Sequence, residues 1–101
     1  MKECCKTYLD EQFGDPDVSA EIYSEYVSSF GEKLGEADKA LAAADWTRLD
    51  RIAHTLKGHA LAAGDVETAD TAIALRKASA LSDAALAGEL VEKLRALAGE
   101  L

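Results

Sequence analysis

The sequence has little of what a β-sheet protein or a membrane protein requires. Its 101 residues include one proline, one tryptophan, three tyrosines and two phenylalanines, and long stretches are rich in alanine and leucine. This composition favours helices over strands, folded as one domain around a single modest core. No apolar run reaches the roughly 20 residues of a membrane span. The first residues lack the apolar core of a signal peptide, so we expect a cytoplasmic protein.

The charge balance and the absence of a phosphate-binding loop exclude two further classes of function. The chain has 19 acidic and 11 basic residues and a net charge of −8. Nucleic-acid binding relies on an excess of Lys and Arg, so we expect no nucleic-acid partner. The sequence contains neither a glycine-rich nucleotide loop nor the short motifs of protein kinases. We therefore expect no kinase activity of its own.

The two cysteines, Cys4 and Cys5, are adjacent, and their spacing does not indicate a disulfide, redox or metal site. Neighbouring cysteines rarely satisfy disulfide geometry, and metal or redox motifs use wider spacings. Cys5 instead repeats with Leu9 and Phe13 at intervals of four residues. This spacing predicts a short N-terminal helix within residues 1–14 that has these three side chains on its apolar face.

Four longer helices are predicted between about residue 15 and residue 101. Each begins with a residue that can cap a helix, and Pro16 suits a first helical turn; the predicted starts are Asp15-Pro16, Asp45-Trp46, Asp65 and Ser82-Asp83. Gly64 tolerates the left-handed conformation that ends many helices. Short connections make neighbouring helices antiparallel. The predicted fold is therefore all-α, an up-and-down antiparallel four-helix bundle with a short N-terminal helix.

Each predicted helix has an apolar stripe at helical spacing that we expect to face the core. The stripes are Val18, Ile22, Tyr26, Phe30, Leu34, Ala37 and Leu41; then Leu49, Ile52, Ala53, Leu56, Ala60 and Ala63; then Val66, Ala69, Ile73 and Ala80; and finally Leu86, Leu90, Leu94, Leu97 and Leu101. Because each stripe can be buried within the bundle, we expect a monomer.

The second of these helices places His54 toward solvent. A helix advances about 100° per residue, so His54 lies roughly 140° from Leu49 on the apolar stripe. Lys57 and Gly58 follow at the third and fourth positions after His54, where side chains are neighbours on a helix surface. A neutral imidazole is a good nucleophile near pH 7, Lys57 can partly neutralise a phosphoryl group on it, and Gly58 leaves open space beside it.

Four other residues share the outward face with His54 and are predicted to contact a partner. They are Thr47, Asp50, Arg51 and Leu61. Leu61 lies off the apolar stripe, one turn beyond Lys57. An exposed leucine alone means little, but beside a reactive histidine it is a candidate docking contact.

The segment Ile52–Gly58, with Gly64 after it, resembles the signature of histidine phosphotransfer (HPt) domains, the relay modules of multistep two-component signalling. The run Ala44-Asp45-Trp46 also resembles the approach to that signature, and the resemblance extends from about Asp15 to the C-terminus. It implies that His54 is the phosphoacceptor, that Lys57 neutralises the phosphate and that Gly58 provides clearance. The implied partners are response-regulator receiver domains and a hybrid sensor histidine kinase.

The same resemblance implies a carrier that needs no cofactor of its own, with magnesium on the partner receiver domain. Two positions depart from the family pattern. His59 stands where a small residue is usual, and Leu75 is followed by Arg76 and Lys77 where an acidic residue is often found. We interpret His59 as a structural or boundary histidine rather than a second acceptor, and Arg76 and Lys77 as a solvated face that reaches the phosphate only if the third helix packs beside the second in the right register.

Two other functions are open to the sequence. A helical bundle could bind a signalling partner without transfer, although such a module would be expected to have lost His54 or Lys57. A helical metalloprotein could use Asp50 and His54, which lie four residues apart. The Glu-x-x-His pairs of di-iron bundles are absent, so we rank the metal interpretation last.

Overall fold

The computed structural model describes all 101 residues, which form five helices and no strand. The helices are α1 (Glu3–Phe13), α2 (Pro16–Ala42), α3 (Trp46–Ala62), α4 (Val66–Ala80) and α5 (Ala84–Gly99). The prediction of an all-helical chain is confirmed, as are the helix starts after Asp15, Asp45, Asp65 and Asp83. None of the five helices combines the length and the apolar character that crossing a membrane requires.

The four longer helices contact one another in a closed ring. Helix α2 packs against α3 and α5, α4 packs against both α3 and α5, and α1 packs on α2. The result is a rod that measures 42 × 19 × 19 Å. Its core is one cluster that includes Phe30, Leu49, Leu56, Leu75 and Leu94. Every predicted core residue of α3 and its cap, from Leu49 to Ala63, is buried.

The three connections between the longer helices share one geometry. Each has three residues, and the middle one has a positive φ: 50° at Ala44, 76° at Gly64 and 52° at Ser82. The aspartate that follows donates its backbone N–H to the carbonyl five residues earlier, and it then occupies the N-cap position of the next helix. This is the Schellman arrangement, in which a left-handed residue satisfies the last carbonyls of a helix. Gly64 also has no room for a Cβ, because that atom would collide with Tyr8 of α1.

A buried carboxylate attaches the start of the chain to the connection between α3 and α4. Asp65 is fully buried, and its carboxylate accepts hydrogen bonds from Tyr26 Oη at 2.7 Å, Thr68 Oγ1 at 2.8 Å and Lys2 Nζ at 3.1 Å. Burial by itself raises the pKa of Asp65, but these three donors and the charge of Lys2 outweigh burial and hold that pKa below its ordinary value. Asp65 occupies the predicted N-cap position of α4, but because its carboxylate binds these three donors, its side chain makes no capping hydrogen bond.

The predicted core stripe of α4 is wrong at three of its four positions. Ala69 is buried, but Val66, Ile73 and Ala80 are exposed. The buried face consists mostly of small residues, namely Thr68, Ala69, Thr71, Ala72, Leu75, Ala78 and Ser79. The Thr71 and Ser79 hydroxyls donate to the carbonyls four residues earlier, each at 2.8 Å. Hydroxyls satisfied within their own helix can be buried, and their small size lets α4 lie close to α3.

Two other residues predicted in the core lie at helix ends and remain accessible. Phe13 is 51% exposed because α1 ends there, and only Cys5 and Leu9 of its stripe are buried. Leu86 is 40% exposed in the first turn of α5, where Ala87 and Val91 are the buried residues.

Candidate functional site

His54 lies in the middle of α3, and its side chain is exposed. The helix begins where the Asp45 carboxylate accepts the backbone N–H of Arg48 at 3.2 Å. Its buried face is the stripe that includes Leu49 and Leu56, and this fixes the rotation of the helix about its axis. The predicted exposure of His54 is therefore confirmed.

Arg76 of α4 reaches across to His54. Its Nη1 donates a hydrogen bond to His54 Nδ1 at 3.1 Å, and its Nε donates to Asp50 Oδ1 at 3.0 Å. The interpretation of Arg76 as a solvated residue is wrong, because α4 packs beside α3 in the register that brings the guanidinium to the ring. Lys77 is exposed, as predicted. The sequence signal for Arg76 was its basic charge at a position where the resembled family often has an acidic residue.

The groove between α3 and α4 is lined by groups of both charges next to His54. Its lining residues are Asp50, Lys57, Ile73, Arg76, Lys77 and Ala80. Three of these are basic on a chain whose net charge is −8. A phosphoryl group on His54 would therefore lie beside the guanidinium of Arg76, which contacts the ring, with Lys57 three residues further along the same helix. Guanidinium and ammonium groups form strong hydrogen bonds with phosphate oxygens.

Gly58 leaves open space on the surface next to His54. Apart from its two chain neighbours and the backbone of its own helix, a Cβ placed on Gly58 would have no atom within 4 Å, and the residue is exposed. A glycine inside a helix lowers stability by roughly 1 kcal/mol relative to alanine. No contact within the folded chain accounts for glycine at this position.

The predicted docking residues do not all lie on the same side of His54. Thr47, Arg51 and Leu61 are exposed, and Leu61 is 49% exposed. Arg51 lines a groove between α2 and α3, whereas Asp50 lines the groove between α3 and α4. Adjacent residues on a helix point about 100° apart, which is why these two residues lie on opposite sides of His54. Asp50 is half-buried and paired with Arg76.

His59 contacts α2 and does not contribute to the surface around His54. Its Nδ1 lies 2.8 Å from Ser29 Oγ, and it lines a separate groove with Ile22, Glu25 and Tyr26. The side chain is exposed and sits at the boundary between α2 and α3. The interpretation of His59 as a boundary histidine agrees with this position.

Comparison with known protein families shows a match to the model described as Hpt domain, over residues 21–101. The matched region contains all of α3, α4 and α5 and most of α2, whereas α1 lies before it. Comparisons with curated proteins and with solved structures gave no match.

Proposed function

Because the chain belongs to the Hpt domain family, we propose that it is a phosphorelay intermediate in which His54 accepts a phosphoryl group from a receiver-domain aspartate and passes it to another receiver. Hpt domains carry out histidine phosphotransfer in phosphorelays and interact with receiver domains and kinases. The observation that carries the proposal is the exposed imidazole in the middle of α3, with Lys57 and Gly58 on the same surface.

The reaction needs a nucleophile and positive charge from this chain. A ring nitrogen of His54 attacks the phosphorus, the P–O bond to the receiver aspartate breaks, and its electron pair leaves with the carboxylate. Lys57 forms none of the ion pairs in the structure, so its ammonium is available to the phosphoryl oxygens. The partner receiver supplies the magnesium, and this chain acts as a carrier with no kinase activity of its own.

His54 is presented to a partner by the bundle of helices α2 to α5. We propose that residues 1–101 form one domain in which α2 to α5 run up and down as an antiparallel bundle. The closed ring of contacts and the three-residue connections support this order. Thr47, Arg51 and Leu61 are the exposed residues that we propose contact the receiver.

The alternative of a bundle that binds without transfer predicts a different biochemical result. The metal interpretation is less well supported, because Asp50 and His54 Nδ1 both accept hydrogen bonds from Arg76. One nitrogen of His54 and one oxygen of Asp50 that could bind a metal therefore face a cationic guanidinium.

A transfer assay with matched histidine variants tests the proposal. Phosphorylated receiver domains are mixed with the wild-type chain, with His54→Gln and with His59→Gln. We expect an acid-labile, base-stable label on the wild type and on His59→Gln and none on His54→Gln. His59 is the appropriate control because it is an exposed histidine on the same helix. Receivers that bind the wild type without labelling it would support the interaction-only alternative.

A further inference from the structure

The guanidinium of Arg76 bridges two side chains of α3. One edge pairs with Asp50 through Nε, and Nη1 of the same planar group donates to His54 Nδ1. The side chains of Arg76 and Asp50 are 37% and 41% exposed. Because the guanidinium is rigid and planar, the ion pair with Asp50 aims the second donor at the ring.

The direction of the hydrogen bond to His54 determines where the ring proton lies. A guanidinium only donates hydrogen bonds, and a neutral imidazole has one nitrogen that donates and one that accepts. Nδ1 of His54 therefore accepts, and the proton of the neutral ring lies on Nε2. In this arrangement neither nitrogen has a free lone pair, because Arg76 covers one and a proton occupies the other.

We propose that Arg76 is a positioning residue that keeps the resting imidazole of His54 unreactive and must leave Nδ1 before the ring can accept a phosphoryl group. This inference rests on the proposed function of His54. Attack through Nδ1 needs the space that Arg76 fills. Attack through Nε2 needs the ring proton to move to Nδ1, which the hydrogen bond from Arg76 opposes.

Once Arg76 has moved, the ring can accept the phosphoryl group through either Nδ1 or Nε2. The attacking nitrogen forms the N–P bond, the P–O bond of the aspartyl phosphate breaks toward the carboxylate, and the proton on the other nitrogen passes to water. Phosphoryl oxygens bind a guanidinium more strongly than a neutral ring nitrogen does, because the hydrogen bonds join opposite charges. The incoming group can thus draw Arg76 away from the ring, while Asp50 keeps the guanidinium close to the site.

An uncharged acylating probe measures the free lone pair without involving phosphoryl transfer. Diethyl pyrocarbonate reacts with unprotonated imidazole nitrogens, and peptide mass mapping separates adducts at His54 from those at His59. We expect Arg76→Met to raise the acylation rate of His54 roughly fivefold, the gain from removing one hydrogen bond of ordinary net strength. Asp50→Asn should give a smaller rise, because Arg76 is then held less firmly.

Lys77→Met is the matched control, because it removes the same charge from the neighbouring position of α4 without removing a contact to His54. It should leave the acylation rate unchanged, and His59 should react at one rate in all variants. Equal acylation of His54 in the wild type and Arg76→Met would overturn the proposal.

Nitrogen NMR of the ring gives an independent test in the intact protein. At pH about 8.5, where a free imidazole is neutral, the wild-type spectrum should show an unprotonated Nδ1 and a protonated Nε2 at His54. Arg76→Met should shift the ring toward a mixture of the two tautomers. A wild-type ring that carries its proton on Nδ1 would refute the inference even if the transfer assay succeeded, and a failed transfer assay would leave both of these results interpretable.

Discussion

Replacing Gly58 should increase the stability of the protein and at the same time slow phosphoryl transfer. The space beside Gly58 is open, so a methyl group there meets no neighbour, and alanine is better than glycine inside a helix by about 1 kcal/mol. Unfolding entropy is about 2.1 cal/mol/K per residue. For a chain of 101 residues, Gly58→Ala should therefore raise Tm by about 5 °C. Gly58→Val should raise it less, because β-branched residues are poorer helix formers.

Transfer should respond in the opposite direction, since the added side chain fills space that the partner needs. Extra methylene groups forced into a well-packed core cost about 1–3 kcal/mol, and we expect a similar cost in a packed interface. About 1.4 kcal/mol is a tenfold change in rate. We expect Gly58→Val to slow transfer from a phosphorylated receiver, at concentrations below saturation, by roughly tenfold or more.

Gly88 provides the control for both measurements. It lies in α5, which does not contact α3, and a Cβ there also has open space. Gly88→Ala and Gly88→Val should show the same gain in Tm with unchanged transfer. Wild-type transfer rates in Gly58→Val would refute the clearance argument, and a loss of Tm in Gly58→Ala would show that the space beside Gly58 is occupied.

Three further predictions concern the rest of the fold. Hydrogen bonds and the charge of Lys2 lower the pKa of Asp65, so its carboxylate stabilises the fold at pH values above the unfolded pKa of about 3.9. This contribution is lost as the pH falls through the lower native pKa. When urea unfolding is measured from about pH 7 to pH 3, the free energy of unfolding should decline less for Asp65→Asn than for the wild type. Ser82 has a φ of 52°, a conformation that costs a non-glycine residue roughly 1–2 kcal/mol. After the extra unfolded-state entropy of glycine is subtracted, Ser82→Gly should raise the free energy of unfolding by about 0.5–1 kcal/mol. An unchanged or lower free energy of unfolding would contradict the strain argument. Burial, followed by the charge of the neighbouring Cys4, raises the pKa of the Cys5 thiol to about 12, and Cys5 is buried while Cys4 is exposed. Iodoacetamide should therefore add one label to the native chain, on Cys4, and two labels after denaturation. Two labels on the native chain would show that α1 packs more loosely than described.

The sequence predicted α3 far better than α4, and the reason is the kind of residue that each helix buries. Helix α3 buries Leu49, Ile52 and Leu56, whose helical spacing is visible in the sequence. Apart from Leu75, helix α4 buries only hydroxyl-bearing and alanine side chains, and it exposes Val66 and Ile73. Hydropathy alone points to the wrong face of α4, because a buried threonine or serine satisfies its hydroxyl within its own helix.

The residues of the candidate site also differ in how well the sequence predicted them. His54 and Gly58 were placed by periodicity within one helix, and their exposure is as predicted. The contact of Arg76 with His54 joins residues 22 positions apart, and it depends on how α4 is rotated against α3. That rotation is set by the mostly small buried face of α4, which the hydropathy pattern does not show. The sequence therefore marked Arg76 only as an unusual basic residue and could not show its contact with His54.

The proposed use of one acceptor imidazole, that of His54 on the flank of the 42 Å rod, has a kinetic consequence. Two receiver domains cannot approach the same ring together, so the donor must depart before the acceptor arrives. The proposed relay is then a double-displacement cycle, in which the phosphorylated chain exists as a free species between two encounters. Unphosphorylated receiver in excess would compete with the donor for the same flank. A high concentration of one receiver would therefore slow phosphoryl transfer from the other.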